Sequence, residues 1–256
     1  MIFQVDCVDP GAPVTLSRHA MGCVAAFIVT GLVDVVLRVL FPDQKTRWFA
    51  LHFVANSIVT VACLQDMWGL MNAPLCAFVE PSDSWIPSYI AFALHAYHLI
   101  AYTAVRMEDI VHHVLFAGVL AVFNFLLAWG RMTNTLIFFM TGFPGGVDYG
   151  MLVLVKTGRI ERITQKRLCS FINTWCRVPG HVGVATIFGV CAAHGTTHGV
   201  HLACVAVVAG LTMLNGLYYG EQAIGTFHRL AALAPTYADK ANGIASPPAI
   251  RAVRAF

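Results

Sequence analysis

The stretch RMEDIVHHVLF, residues 106–116, sets two adjacent histidines just inside one of the most apolar parts of the chain. Asp109 precedes His112 by three residues and His113 by four, so in a helix the carboxylate stacks over both imidazoles on one face. The apolar run that continues from it reads as a membrane span. The rest of the sequence agrees: 58% of the 256 residues are hydrophobic and only 11% are charged. The mean hydropathy is +0.70. Soluble domains carry about a quarter charged residues. The expected fold is therefore all-α, a polytopic transmembrane helical bundle in an integral membrane protein.

Apolar runs of spanning length lie near 19–40, 48–71, 85–105, 111–129, 134–155, 180–197 and 200–222, which makes about seven spans. The chain divides into an N-terminal segment 1–18, a bundle over 19–230 and a tail over 231–256. With seven spans, only Arg18 and Arg131 of the 16 Lys and Arg fall on one side of the membrane, and the other fourteen share the opposite side. Such asymmetry marks the cytosolic or equivalent organellar face. Residues 1–18 have Asp6 and Asp9 but no basic n-region, so the first span is expected to act as an uncleaved signal anchor.

The segment KTGRIERITQKRLCSFINTWCRVPG, residues 156–180, alternates basic residues with Ile160, Ile163, Leu168, Phe171, Ile172 and Trp175 near helical spacing. It reads as an amphipathic helix at the membrane surface, either a connecting helix or a lipid-binding one. Eight cysteines are scattered singly with no CxxC pair, which suits small buried hydrophobes. In the tail, Tyr237, Ile244, Ile250, Val253 and Phe256 are too few to form a core. Residues 1–17 and 231–256 are therefore expected to dock on other membrane-protein subunits.

Ionisable groups at membrane depth are costly and each needs an explanation. Asp34 and Arg38 are spaced as an i,i+4 ion pair; His52, Asn56, Gln65 and Asp66 recur along the second span; His95 and His98 lie three apart in the third. Pro144 and the glycines of TGFPGG are expected to break the fifth span at a Pro-Gly-Gly turn, leaving Asp148 in the bundle interior. In a catalytic reading, His112 or His113 is the base or nucleophile, Asp109 fixes its tautomer and Asp148 faces the pair across a cavity. In a structural reading the same groups hold helices together by interhelical hydrogen bonds. Neither HExxH nor another paired-His ligand set occurs, and nucleotide-binding and nucleic-acid motifs are absent, so no metal, cofactor or nucleic acid is expected.

RMEDIVHHVLF, followed a span later by TGFPGGVDYGMLVLVK, resembles the core of TLC-domain membrane proteins, the superfamily that includes the ceramide synthases. LHFVANSIVTVACLQDM and FALHAYHLIAY are similar to the spans before that core. ITQKRLCSFINTWCRVPG resembles the segment after it in a branch found in algae and protists. The likeness covers about residues 50–180. It implies that His112 and His113 lie in an acyl-transfer centre with Asp109 and Asp148 around them. It further implies that Lys156 closes the motif. His95, His98, Lys156 and Asn56 are expected to line a lipid cavity. The chain departs from the synthases in having VLF where a threonine follows the histidine pair, and one aspartate rather than two near PGGVD. Two expectations follow. One is an enzyme or lipid-handling protein that binds membrane lipid or an acyl donor in its helical bundle, with the histidine pair available for acyl transfer. The other is a non-catalytic accessory subunit of a large membrane complex. In either case the membrane expected is that of the endoplasmic reticulum or the mitochondrial inner membrane.

Overall fold

The computed structural model describes residues 7, 14–102, 107, 113–127 and 129–233. Asp109, His112 and residues 234–256 lie outside the described residues, as do residues 1–13 apart from Cys7, so the expectations about those histidine-pair members and about docking of the tails are not addressed by the fold. The described residues are mostly helical, with no strand among them. In chain order they are α1 (Leu16–Leu40), α2 (Gln44–Asn72), α3 (Ile86–Ala101), a π-helical stretch His113–Val119 leading into α4 (Leu120–Leu126), α5 (Met132–Lys156), α6 (Arg162–His194) and α7 (Leu202–Ala232).

Five of these helices, α1, α2, α5, α6 and α7, are long and apolar enough to cross a membrane, against the seven spans expected from hydropathy. The shorter α3 is also apolar, with 16 residues. α1 shows the physics plainly. It exposes Val24, Ile28, Leu32, Val35 and Val39 and buries His19, Thr30 and Asp34. Apolar surface turned outward over a polar interior is stable only where the solvent is hydrocarbon. The chain is an integral membrane protein.

Two polar clusters tie opposite ends of the bundle. At one end the Asp66 carboxylate accepts from the Asp83 amide at 3.0 Å and from Asn134, while Arg131 pairs with Glu80. Gly130, at φ +54°, packs so closely on the Ala77 and Glu80 carbonyls that no side chain fits. Around it, Phe78, Trp129 and Phe188 form an aromatic core. At the other end Asp34, 1% exposed, accepts from Arg47 Nε at 2.9 Å, Tyr102 at 2.9 Å and Tyr97 at 3.0 Å. Arg38, its expected partner, stands 3.6 Å away and is largely exposed.

Three further expectations are corrected. First, α5 is not broken at the Pro-Gly-Gly turn. Residues 132–156 wind continuously, with π-helical winding over Phe138–Gly142 just before Pro144. The wider winding makes room for the proline ring. In regular winding the residue-144 amide would bond the Met140 carbonyl; proline has no such donor, and Arg177 donates through Nη2 instead. Second, the amphipathic segment is not a separate surface helix. It is continuous with the next span in α6, again through a π-helical stretch, Asn173–Arg177, two residues before Pro179. Third, the cysteines are not all free: Cys7 is disulfide-bonded to Cys76, at the Asp66 end. Sixty-nine residues separate the two, which spacing patterns do not reveal.

Candidate functional site

The two π-helical stretches aim polar side chains inward from α5 and α6. Between α2, α3, α4, α5, α6 and α7 they leave a cavity of about 330 Å³. Its Asp34-end portion is lined by His52, His95, Asp148, Tyr149, Arg177, Asn215 and Tyr219. Its remaining wall is mainly apolar and aromatic, including Phe92, Leu120, Leu136, Phe188 and Val208, and ends at Ser88, Asn124 and Thr133. Those last three are linked to one another: Asn124 donates to Ser88 Oγ at 2.9 Å and accepts from Thr133 at 2.8 Å.

Beside the cavity lies a histidine cluster. His98 Nδ1 and His113 Nε2 are 3.2 Å apart, a distance at which one proton is shared between two rings. The His95 and His113 ring centroids are 5.1 Å apart. Trp48 packs against both His98, at 4.0 Å, and His52, at 3.6 Å between centroids. His52 in turn lies 4.3 Å from the Tyr149 ring, next to Asp148 in sequence. The cluster therefore joins α2, α3 and the start of the α4 region to the polar part of the cavity. His52 and His95 each direct Nδ1 at a carbonyl four residues back, Trp48 at 3.0 Å and Ala91 at 2.6 Å. These bonds make Nδ1 the protonated nitrogen and leave Nε2 the basic one.

The residues singled out from sequence separate accordingly. His95 and Asp148 line the cavity. His113 is buried beside it in contact with His95 and His98. His98 belongs to the cluster rather than to the cavity wall. Asn56 sits behind the wall, accepting from Thr141 at 2.9 Å where Gly145 lets α5 approach α2 closely. Lys156 is exposed on the last turn of α5, where its charge suits the helix dipole and its stem reaches outward. Asp148 accepts from the Gln165 amide, so the basic face of α6 and the core of α5 are joined there.

Sequence reading passed over Tyr149, Arg177, Asn215 and Tyr219. Asn215 carried a usable signal, as a lone polar residue in an apolar span. Arg177 looked like one more charge on an amphipathic surface helix, and only the continuity of α6 carries it into the bundle. Among the described residues, no group of three or more His, Cys, Asp or Glu side chains could hold a metal ion. Comparison with protein-family models, curated proteins and solved structures finds no match to this chain.

Proposed function

We propose that this protein handles lipid within the membrane, holding an acyl chain in the cavity between its helices, as a TLC-like bundle of seven crossings. The observation that carries the reading is the two-part wall: ionisable and hydroxyl groups gathered at one end, an apolar tube beyond them. Ligand sites combine such an apolar lining with a few convergent polar groups. The histidine cluster supplies a base adjoining that polar end, and acyl transfer is the chemistry that a histidine at an acyl head group supports. The membrane is proposed to be that of the endoplasmic reticulum or the mitochondrial inner membrane.

Native mass spectrometry of gently solubilised protein tests the holding step. A monomer carrying acyl-chain mass is the expected species. Replacing His113 by alanine should then lower acyl transfer about a hundredfold or more while the bundle stays assembled. Unchanged turnover removes the catalytic role.

The second reading, an accessory subunit of a larger complex, is favoured by the hydrogen bonding of the histidines. His98 and His113 bond each other, and His52 and His95 bond their own helices, as packing groups do. Recovery of the chain only within a large lipid-free assembly would select that reading.

A further inference from the structure

The cavity has a direction. α5, α6 and α7 each supply an apolar liner toward the Asp66 end and a polar one toward the Asp34 end: Leu136 and Asp148, Phe188 and Arg177, Val208 and Tyr219. Eleven or twelve residues separate the members of each pair, roughly 16–18 Å of helix rise. That length accommodates a long alkyl chain. The volume of about 330 Å³ falls at the low end of ligand sites, which suits one chain rather than two.

At the polar end the decisive group is Arg177. Its Nε is buried without a hydrogen-bond partner, its Nη2 donates to the Met140 carbonyl, and the Tyr219 ring lies beneath it at 6.0 Å. Among the described residues no carboxylate is within ion-pair distance of it; Asp148, hydrogen-bonded by Gln165, acts on it only from farther off and leaves the Nε donor open. Asn215, on the same wall, also has a buried amide oxygen without a partner, and a rotated amide would present its nitrogen there. A guanidinium stays charged at any accessible pH, and against a mainly apolar wall an open donor on it is satisfied best by an anion.

We infer that the cavity selects a single-chain amphiphile with an anionic head, a fatty-acyl carboxylate or a lysolipid phosphate. The head sits at Arg177 and Asn215, and the chain runs past Met140 and Leu136 toward Phe188 and Val208. The inference rests on the lipid-holding reading above and adds to it the charge of the head group.

The test uses the full chain in nanodiscs of zwitterionic lipid. It is photolabelled with palmitic acid carrying a diazirine near the chain terminus, or with the methyl ester of the same probe. The acid should label peptides containing Leu136, Phe188 or Val208 at least about tenfold more than the ester, the size of effect a charge-assisted hydrogen bond gives. Arg177→Gln should bring acid labelling down to the ester level, and Arg177→Lys should retain part of it. Competition by unlabelled palmitate against lysophosphatidate then tells carboxylate from phosphate. Equal labelling of wild type by acid and ester overturns the anionic head and leaves the lipid cavity standing. Absence of label from the cavity peptides with either probe overturns both. If Arg177→Gln does not fold, the acid-to-ester ratio on wild type still decides.

Discussion

Arg177 hydrogen-bonds the carbonyl of Met140, the acceptor that Pro144 leaves without its α-helical donor. The two partners stand in separate π-helical stretches, Phe138–Gly142 and Asn173–Arg177, each closing two residues before a proline. One π-helical stretch thus supplies the donor that the other needs.

The pairing predicts a coupling. Arg177→Met leaves the Met140 carbonyl unsatisfied in a low dielectric and should cost about 1–3 kcal/mol. Combining it with Pro144→Ala, which restores an amide at residue 144, should recover part of that loss. Thermal unfolding of the two single variants and the double variant in one detergent measures the coupling. Strict additivity would show that the amide and the guanidinium do not share the acceptor.

At the Asp34 end the neighbouring arginines should behave differently. Asp34→Ala strands the Arg47 charge, which is only 11% exposed, and should destabilise by about 3–5 kcal/mol. Arg38→Ala should cost at most about 1 kcal/mol, because Arg38 is 59% exposed and 3.6 Å from the carboxylate. Equal losses for Asp34→Ala and Arg38→Ala in thermal unfolding would refute this ranking.

The Cys7–Cys76 bond predicts that the Asp66 end of the bundle faces an oxidising compartment, opposite the basic residues near Lys156. Non-reducing peptide mapping should recover Cys7 linked to Cys76, with Cys23, Cys63, Cys169, Cys176, Cys191 and Cys204 as thiols. A cysteine introduced at Arg159 should react with a membrane-impermeant reagent only from the reducing side. Reaction from the disulfide side would invert the topology.

Asp43 caps α2 from outside the membrane segments, accepting at Oδ2 from the Thr46 amide at 2.8 Å and its hydroxyl at 2.7 Å. Those hydrogen bonds hold its carboxyl below the ordinary carboxylate range. A folded-state pKa below the unfolded one means stability that is present above the unfolded pKa and lost as pH falls through the folded value. Asp43→Ala should cost about 0.5–2 kcal/mol at neutral pH. Asp43→Asn should keep most of the cap and flatten its acid dependence, as melting curves of wild type and variant over a descending pH series would register. Parallel curves would exclude Asp43 as the titrating cap.

The sequence by itself determined the helical class and the membrane environment, because both are sums over many residues. A 25-residue run such as α1 must satisfy its own backbone and bury apolar surface in hydrocarbon whatever its neighbours do. It also showed that Pro144 removes a donor, that Asp34 needs a cation and that His95 and Asp148 require an explanation inside the bundle. Tertiary structure decided how those needs were met. Arg177 reaches Met140 across 37 residues, and Tyr102 reaches Asp34 across 68. Such pairings depend on which helix faces lie together, and no local spacing encodes that. The proline therefore goes with π-helical winding in α5 rather than ending the helix, and an arginine that read as part of a surface helix becomes a charge in the cavity wall.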